Sequence, residues 1–162
     1  MKKIFIASDH AGIELKSEIL HLINSAPFFQ KFEIHDLGPN STDSVDYPDF
    51  ADLVCKKIHG LSIIDTQHQN QSFPTEIGIL ICGSGQGMSM RANKYSHIRA
   101  ALCWNTEVAK LSREHNNANI LCLGARTVPE SINIEILKIF LETPFLGDRH
   151  LRRVNKLSSP TS

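Results

Sequence analysis

The chain has 162 residues, 41% of them hydrophobic and 21% charged, with Lys+Arg and Asp+Glu balanced at 17 each. One domain of that length buries a real core, and the balance leaves no global charge with which to hold nucleic acid or an acidic surface. Its apolar runs fall far short of the about 20 residues that span a bilayer, and the four cysteines (Cys55, Cys82, Cys103, Cys122) lack CxxC spacing, so membrane, zinc and disulfide-scaffold classes are set aside.

In chain order, the first apolar run is Lys3–Ala7, too short for a signal-peptide core; a cytoplasmic protein is expected. It runs into Ser8-Asp9-His10-Ala11-Gly12, which places a carboxylate and an imidazole at a strand–helix junction. Asp9 suits a helix N-cap and His10 an exposed loop. At the C-terminal edge of a parallel sheet the same pair equally suits a ligand. The spacing over Ile13–Ile23 predicts a helix with Leu15, Ile19, Leu20, Leu22 and Ile23 on one face. Phe32–Leu37 reads as the second strand. Pro48–His59 reads as a helix, with Asp46 near its N-cap and Pro48 in its first turn, where a missing N–H costs nothing. Tyr47 either packs there or walls a polar ligand. Ser62–Thr75 is polar and reads as a surface insertion.

The most informative run follows: Ile77–Cys82 predicts a buried strand, then Gly83-Ser84-Gly85-Gln86-Gly87 a turn, then Gly87–Lys94 a helix. Convergent backbone N–H groups and a helix start favour negative charge there, either on a thiol or on an oxyanion. The loop is GxGxG and follows the third strand, whereas dinucleotide fingerprints are GxGxxG and open the first βαβ unit. Cys82 is then either a small core hydrophobe or a reactive group, and Ser84 either a helix cap or a donor to a reacting oxygen.

Arg99–Cys103 and Ile120–Leu123 predict two more strands, and Thr106–Glu114 and Pro129–Leu141 two more helices. Between them, Ser112-Arg-Glu-His115-Asn116-Asn-Ala-Asn119 closes a helix; a histidine cation near a helix C-terminus and asparagines at its end have sufficient structural reasons. After Pro144 comes a basic tail with Arg149, Arg152, Arg153 and Lys156, and disorder is expected at Ser158–Ser162. Alternating strands and helices predict an α/β fold: a doubly wound, Rossmann-like five-stranded parallel sheet flanked by helices, with a C-terminal tail. The expected division is one α/β domain over residues 1–145 and a tail over 146–162 that contacts a neighbouring subunit. Together the polar strand ends and the tail make a proton-transfer site of thiol, imidazoles, carboxylate and backbone donors, with arginines suited to a phosphate.

Residues Ser8–Gly12, Asp46–Pro48, Gly78–Gly85, Ala92–Lys94, Ile98–Ala100, Leu111–Asn116, Asn119–Leu121, Gly124–Arg126 and Arg149-His150…Arg153 run in an order that resembles the type B ribose-5-phosphate isomerases and their galactose-6-phosphate relatives. The resemblance implies interconversion of ribose 5-phosphate and ribulose 5-phosphate through an enediolate, in the non-oxidative pentose phosphate pathway, with no metal or cofactor. It implies Cys82 as the base, with Ser84 and the N–H groups of Gly83, Gly85 and Gly87 holding the enediolate. His115 would open the sugar ring with Asp9 sharing or orienting that proton, Tyr47 and Asn116 would line the sugar, and His10, Arg126, Arg149 and Arg153 would bind phosphate. It further implies a homodimer or dimer of dimers with the site between subunits. Ser84 stands where the family often has threonine, Gln86 where it often has an apolar residue, and Ser62–Thr75 lengthens a connection. Two other readings are an isomerase of a six-carbon allose or galactose phosphate and a non-catalytic sugar-phosphate module; the filled cysteine, histidine and arginine positions favour the ribose enzyme.

Overall fold

The computed structural model describes residues 1–59 and 73–157. Most of Ser62–Thr75 and all of Ser158–Ser162 lie outside them. Five strands, β1 (Lys2–Ser8), β2 (Phe32–Asp36), β3 (Glu76–Cys82), β4 (Ala100–Leu102) and β5 (Ile120–Gly124), form one parallel sheet in the order β2-β1-β3-β5-β4. The α/β expectation holds, and each predicted strand is found. The helices are α1 (Ile13–Ser25), α2 (Tyr47–Cys55), α3 (Gln86–Ala92), α4 (Thr106–Asn116), α5 (Glu130–Glu142) and α6 (Asp148–Leu157). The basic tail thus carries a helix that apolar periodicity did not reveal, because only Val154 within it is buried.

Period-two side chains split the core into two layers. Ile4 and Ile6 of β1 and Ile77, Ile79 and Ile81 of β3 face α1, α4 and α5, represented by Ile19, Ala109 and Phe140. Phe5, Ala7, Leu80 and Cys82 face α2 and α3, represented by Val54 and Met88. Strands buried on both faces have to read as continuous apolar runs, as β3 does. Cys82 falls on the α2–α3 side because it is even-numbered in that alternation.

From β1 the chain steps outward to β2 and later returns on the other side as β3. The reversal opens a crevice at the C-terminal ends of β1 and β3, where sheets of this kind bind ligands. Ser8 and Ile81 are register partners, so Asp9 and Cys82 leave the sheet side by side.

Candidate active site

Two strand ends and the loops around them build the C-terminal edge. After β1, Asp9 accepts from the N–H of Ala11 at 2.9 Å and of Gly12 at 3.1 Å, capping the turn His10–Gly12. Its backbone N–H donates to the Ile81 carbonyl at 3.0 Å, which welds the turn to β3. Asp9 is 7% exposed, and its carboxylate serves as the cap of this turn.

The Cys82 side chain ends β3 at 5% exposure, and the Gly85 N–H donates to its sulfur at 3.1 Å. A donor aimed at sulfur stabilises negative charge there. Gly85 sits at φ 76°, the left-handed region that glycine enters without strain, and a Cβ there would crowd the Leu102 side chain at 2.5 Å and the Leu123 backbone at 3.1 Å. The Ser84 hydroxyl is exposed and accepts from the Gln86 N–H at 3.3 Å. That contact leaves the hydroxyl proton free to donate, and the N-cap of α3 is Gly85, not Ser84. A Cβ on Gly87 would meet the Tyr47 ring at 2.5 Å, so the glycine is what admits the tyrosine to this edge. Asp46 precedes α2 without a side-chain cap bond.

Next to the loop, the Arg126 N–H donates to the Gly83 carbonyl at 2.9 Å, and its exposed side chain passes the same glycine. A cavity of about 290 Å³ is lined by His10, Thr42, Arg126 and Asn133 together with two carboxylates, Glu14 and Glu130. The Val45 N–H reaches the His10 Nδ1 at 3.4 Å. An imidazole and a guanidinium on one small polar cavity suit a phosphate. Cys82, Gly83, Ser84, Gly85, Gly87, Asp9, His10, Tyr47 and Arg126 are therefore gathered on one edge.

The other candidates are not there. In a parallel sheet a crossover helix runs back, so α4 starts beyond the end of β4 and finishes just before β5 begins. His115 and Asn116 close it, at the N-terminal edge. Asn117, not Asn116, takes the left-handed cap at φ 47°. The Leu146 N–H donates to the Glu114 carbonyl at 3.1 Å, which brings α6 beside this end with Arg149 and Arg153 exposed. His150, which the sequence gives no role of its own, stacks its ring on His115 at 4.2 Å between centroids and 8° between planes. Desolvation, then the neighbouring His115, Arg149 and Arg153, push its pKa below the usual value. A larger cleft of about 960 Å³ lies nearby, lined by Tyr95, Ile98, Val108, Leu111, Asn116 and Leu157 and flanking the open edge strand β4. Size does not select the site: Cys82 is not on that cleft.

A buried guanidinium organises this second edge. Arg113 is 0% exposed and donates from Nε to the Thr143 carbonyl at 3.2 Å and from Nη1 to Asn117 Oδ1 at 3.0 Å and to the Ala118 carbonyl. The Phe73 and Phe140 rings flank it. Burial, then Arg99, push its pKa down to about 9, which still leaves it charged at neutral pH.

The ordered motifs and the geometry meet in the comparisons. The model of the ribose/galactose isomerase family matches residues 4–157. The chain belongs to that family. It is 43% identical to a probable ribose-5-phosphate isomerase B of Mycoplasma genitalium over 95% of this chain and 92% of that protein. The structure of the Mycoplasma genitalium enzyme with bound ribulose 5-phosphate superposes with a TM-score of 0.82, covering 96% of this chain and 93% of the other. A Clostridium thermocellum ribose-5-phosphate isomerase B, 40% identical, gives 0.81 over 96% and 95%.

Proposed function

We infer that this chain is an aldose–ketose isomerase that interconverts ribose 5-phosphate and ribulose 5-phosphate. The observation that carries the reading is a thiol at the end of β3, with a backbone donor on its sulfur, in a chain 43% identical to a relative whose structure holds the ketose product. Cys82 as thiolate takes the proton from C2 of the open-chain aldose. The electron pair of that C–H bond becomes the C1–C2 double bond of an enediolate, and the carbonyl pair settles on O1. Donors from the loop 83–87 and the Ser84 hydroxyl hold that charge. The thiol returns its proton to C1 while the O2 proton passes to O1, which leaves a ketone at C2. Proton count and charge balance, and no redox partner enters.

His10 and Arg126 hold the phosphate, and Tyr47 walls the sugar. His115, Asn116, Arg149 and Arg153 of a neighbouring copy complete the site, with His115 opening the furanose and Asp9 orienting that proton. The active unit is a homodimer or a dimer of dimers, with residues 1–145 as the isomerase domain and 146–162 as the tail that reaches the neighbour. The pathway is the non-oxidative pentose phosphate branch, in the cytoplasm. The test is to mix purified protein and ribose 5-phosphate in EDTA and follow ribulose 5-phosphate. Conversion is expected. Turnover of allose or galactose 6-phosphate with none of ribose 5-phosphate would overturn the substrate.

A further inference from the structure

The geometry points to Lys16 as a positioning residue that anchors the span 40–46 over the phosphate cavity; the inference rests on the isomerase reading above. Lys16 lies on α1 one turn beyond the His10–Gly12 turn, on a helix side that otherwise buries Leu15, Ile19 and Ile23. It is 2% exposed. A lysine is buried to that extent only when its ammonium is fully paired, and here all three donors have acceptors. The Nζ lies 2.7 and 3.0 Å from the two Asp36 carboxylate oxygens and 2.7 Å from the Pro39 carbonyl.

Those acceptors belong to the turn that leaves β2. Asp36 Oδ1 also accepts from the Gly38 N–H at 2.9 Å. The Leu37 N–H donates to the Ile6 carbonyl at 2.8 Å, and the Ser8 N–H donates to the Gly38 carbonyl at 3.0 Å. The turn is thereby fixed to both β1 and α1. Beyond Pro39, residues 40–44 are exposed until the Val45 N–H reaches His10 Nδ1 at 3.4 Å. This span carries Thr42 into the cavity wall beside His10 and Arg126 and ends where α2 begins with Tyr47.

The span is therefore held tightly at one end, where Lys16 takes the Pro39 carbonyl beyond the last backbone bond to β1 at Gly38, and loosely at the other, by the long His10 contact. Removing the Lys16 grip leaves the chain beyond Gly38 loose as far as Val45, and the phosphate subsite must then be ordered at the expense of binding. Phosphate does not react, so its loss of grip is felt by ground state and transition state alike: KM rises and kcat stays. A lysine that merely neutralises Asp36 would change stability and leave KM alone.

The variants are Lys16→Met, which keeps the stem and removes the donors, and Asp36→Asn, which keeps size and weakens the grip. Both are measured for kcat and KM with ribose 5-phosphate, for the Kd of inorganic phosphate by calorimetry, and for Tm. Lys16→Met is expected to raise KM and the phosphate Kd by about tenfold with kcat within about twofold, and Asp36→Asn to move both the same way by less. If Lys16→Met does not fold, Asp36→Asn decides the matter. Wild-type KM and phosphate Kd in a folded variant overturn the inference, whatever Tm does. A wild-type protein that binds phosphate without converting ribose 5-phosphate instead overturns the isomerase reading, and the phosphate Kd of the variants still tests Lys16.

Discussion

Cys82 differs from the other cysteines in what its sulfur meets. The sulfur is nearly buried, as cysteines in apolar strands usually are, but it accepts the Gly85 N–H where the other three cysteines lie within the core. Cys82→Ala is expected to lower kcat by about 10³-fold while substrate binding persists, the scale of a lost general base; wild-type turnover in that variant would remove the thiol from the mechanism. Burial raises the Cys103 thiol to about 12, and no role falls to it. His150 offers a titration. Its folded pKa lies below the usual 6.5, chiefly through desolvation and then His115. An imidazole harder to protonate folded than unfolded loses stability as pH falls through its unfolded value. In an NMR titration, His115→Ala, which removes both the stacked ring and a neighbouring cation, is expected to raise the His150 value; an unmoved titration would mean the stack does not set it.

At the level of elements, two contacts determine where side chains end up. Gly87 admits the Tyr47 ring, and because that ring is 39% exposed it can move aside when a Cβ intrudes. Gly87→Ala is therefore expected to raise KM through a displaced Tyr47 with little change in Tm; an unaltered KM would show that Tyr47 does not line the sugar. Arg113 joins the end of α4 to the end of α5 through the Asn117 amide oxygen and the Ala118 and Thr143 carbonyls. Arg113→Met leaves those acceptors buried without a donor, at a cost of about 3 kcal/mol, read by denaturant unfolding. A much smaller loss would mean water replaces the guanidinium. Helix α6 was legible only as a basic tail, since one buried residue, Val154, cannot write a periodic pattern. Lys16 is hidden in the sequence for the opposite reason: a charge within an amphipathic pattern reads as a solvated position until its partners at the end of β2 are in place.

At the scale of the whole molecule, parallel topology divides the predicted site. Cys82 and its loop occupy the C-terminal edge, while His115 and Asn116 occupy the N-terminal edge because the crossover helix α4 must run back to start β5, and the Leu146 N–H on the Glu114 carbonyl draws α6 with Arg149 and Arg153 toward that end. A site shared between copies predicts complementation. Cys82→Ala and His115→Ala, each inactive alone, should recover about a quarter of wild-type activity when unfolded and refolded together, since half the dimers are mixed and each carries one intact site. Absence of recovery would place both groups in a single chain. Arg149→Ala should raise KM more than it lowers kcat, and an unchanged KM would free that arginine from phosphate binding. By itself the amino-acid sequence determined the alternation of buried strands and helices, the glycine loop after Cys82 and the ordered motifs of the family, because burial periodicity, backbone freedom and side-chain chemistry are local properties. Only the tertiary structure decided that Asp9 lies beside Cys82, that His150 stacks on His115, that Lys16 grips the turn after β2, and that Cys82 and His115 lie at opposite edges of the sheet. Strand order and helix direction are set by packing between residues far apart in the chain, and no local pattern encodes them.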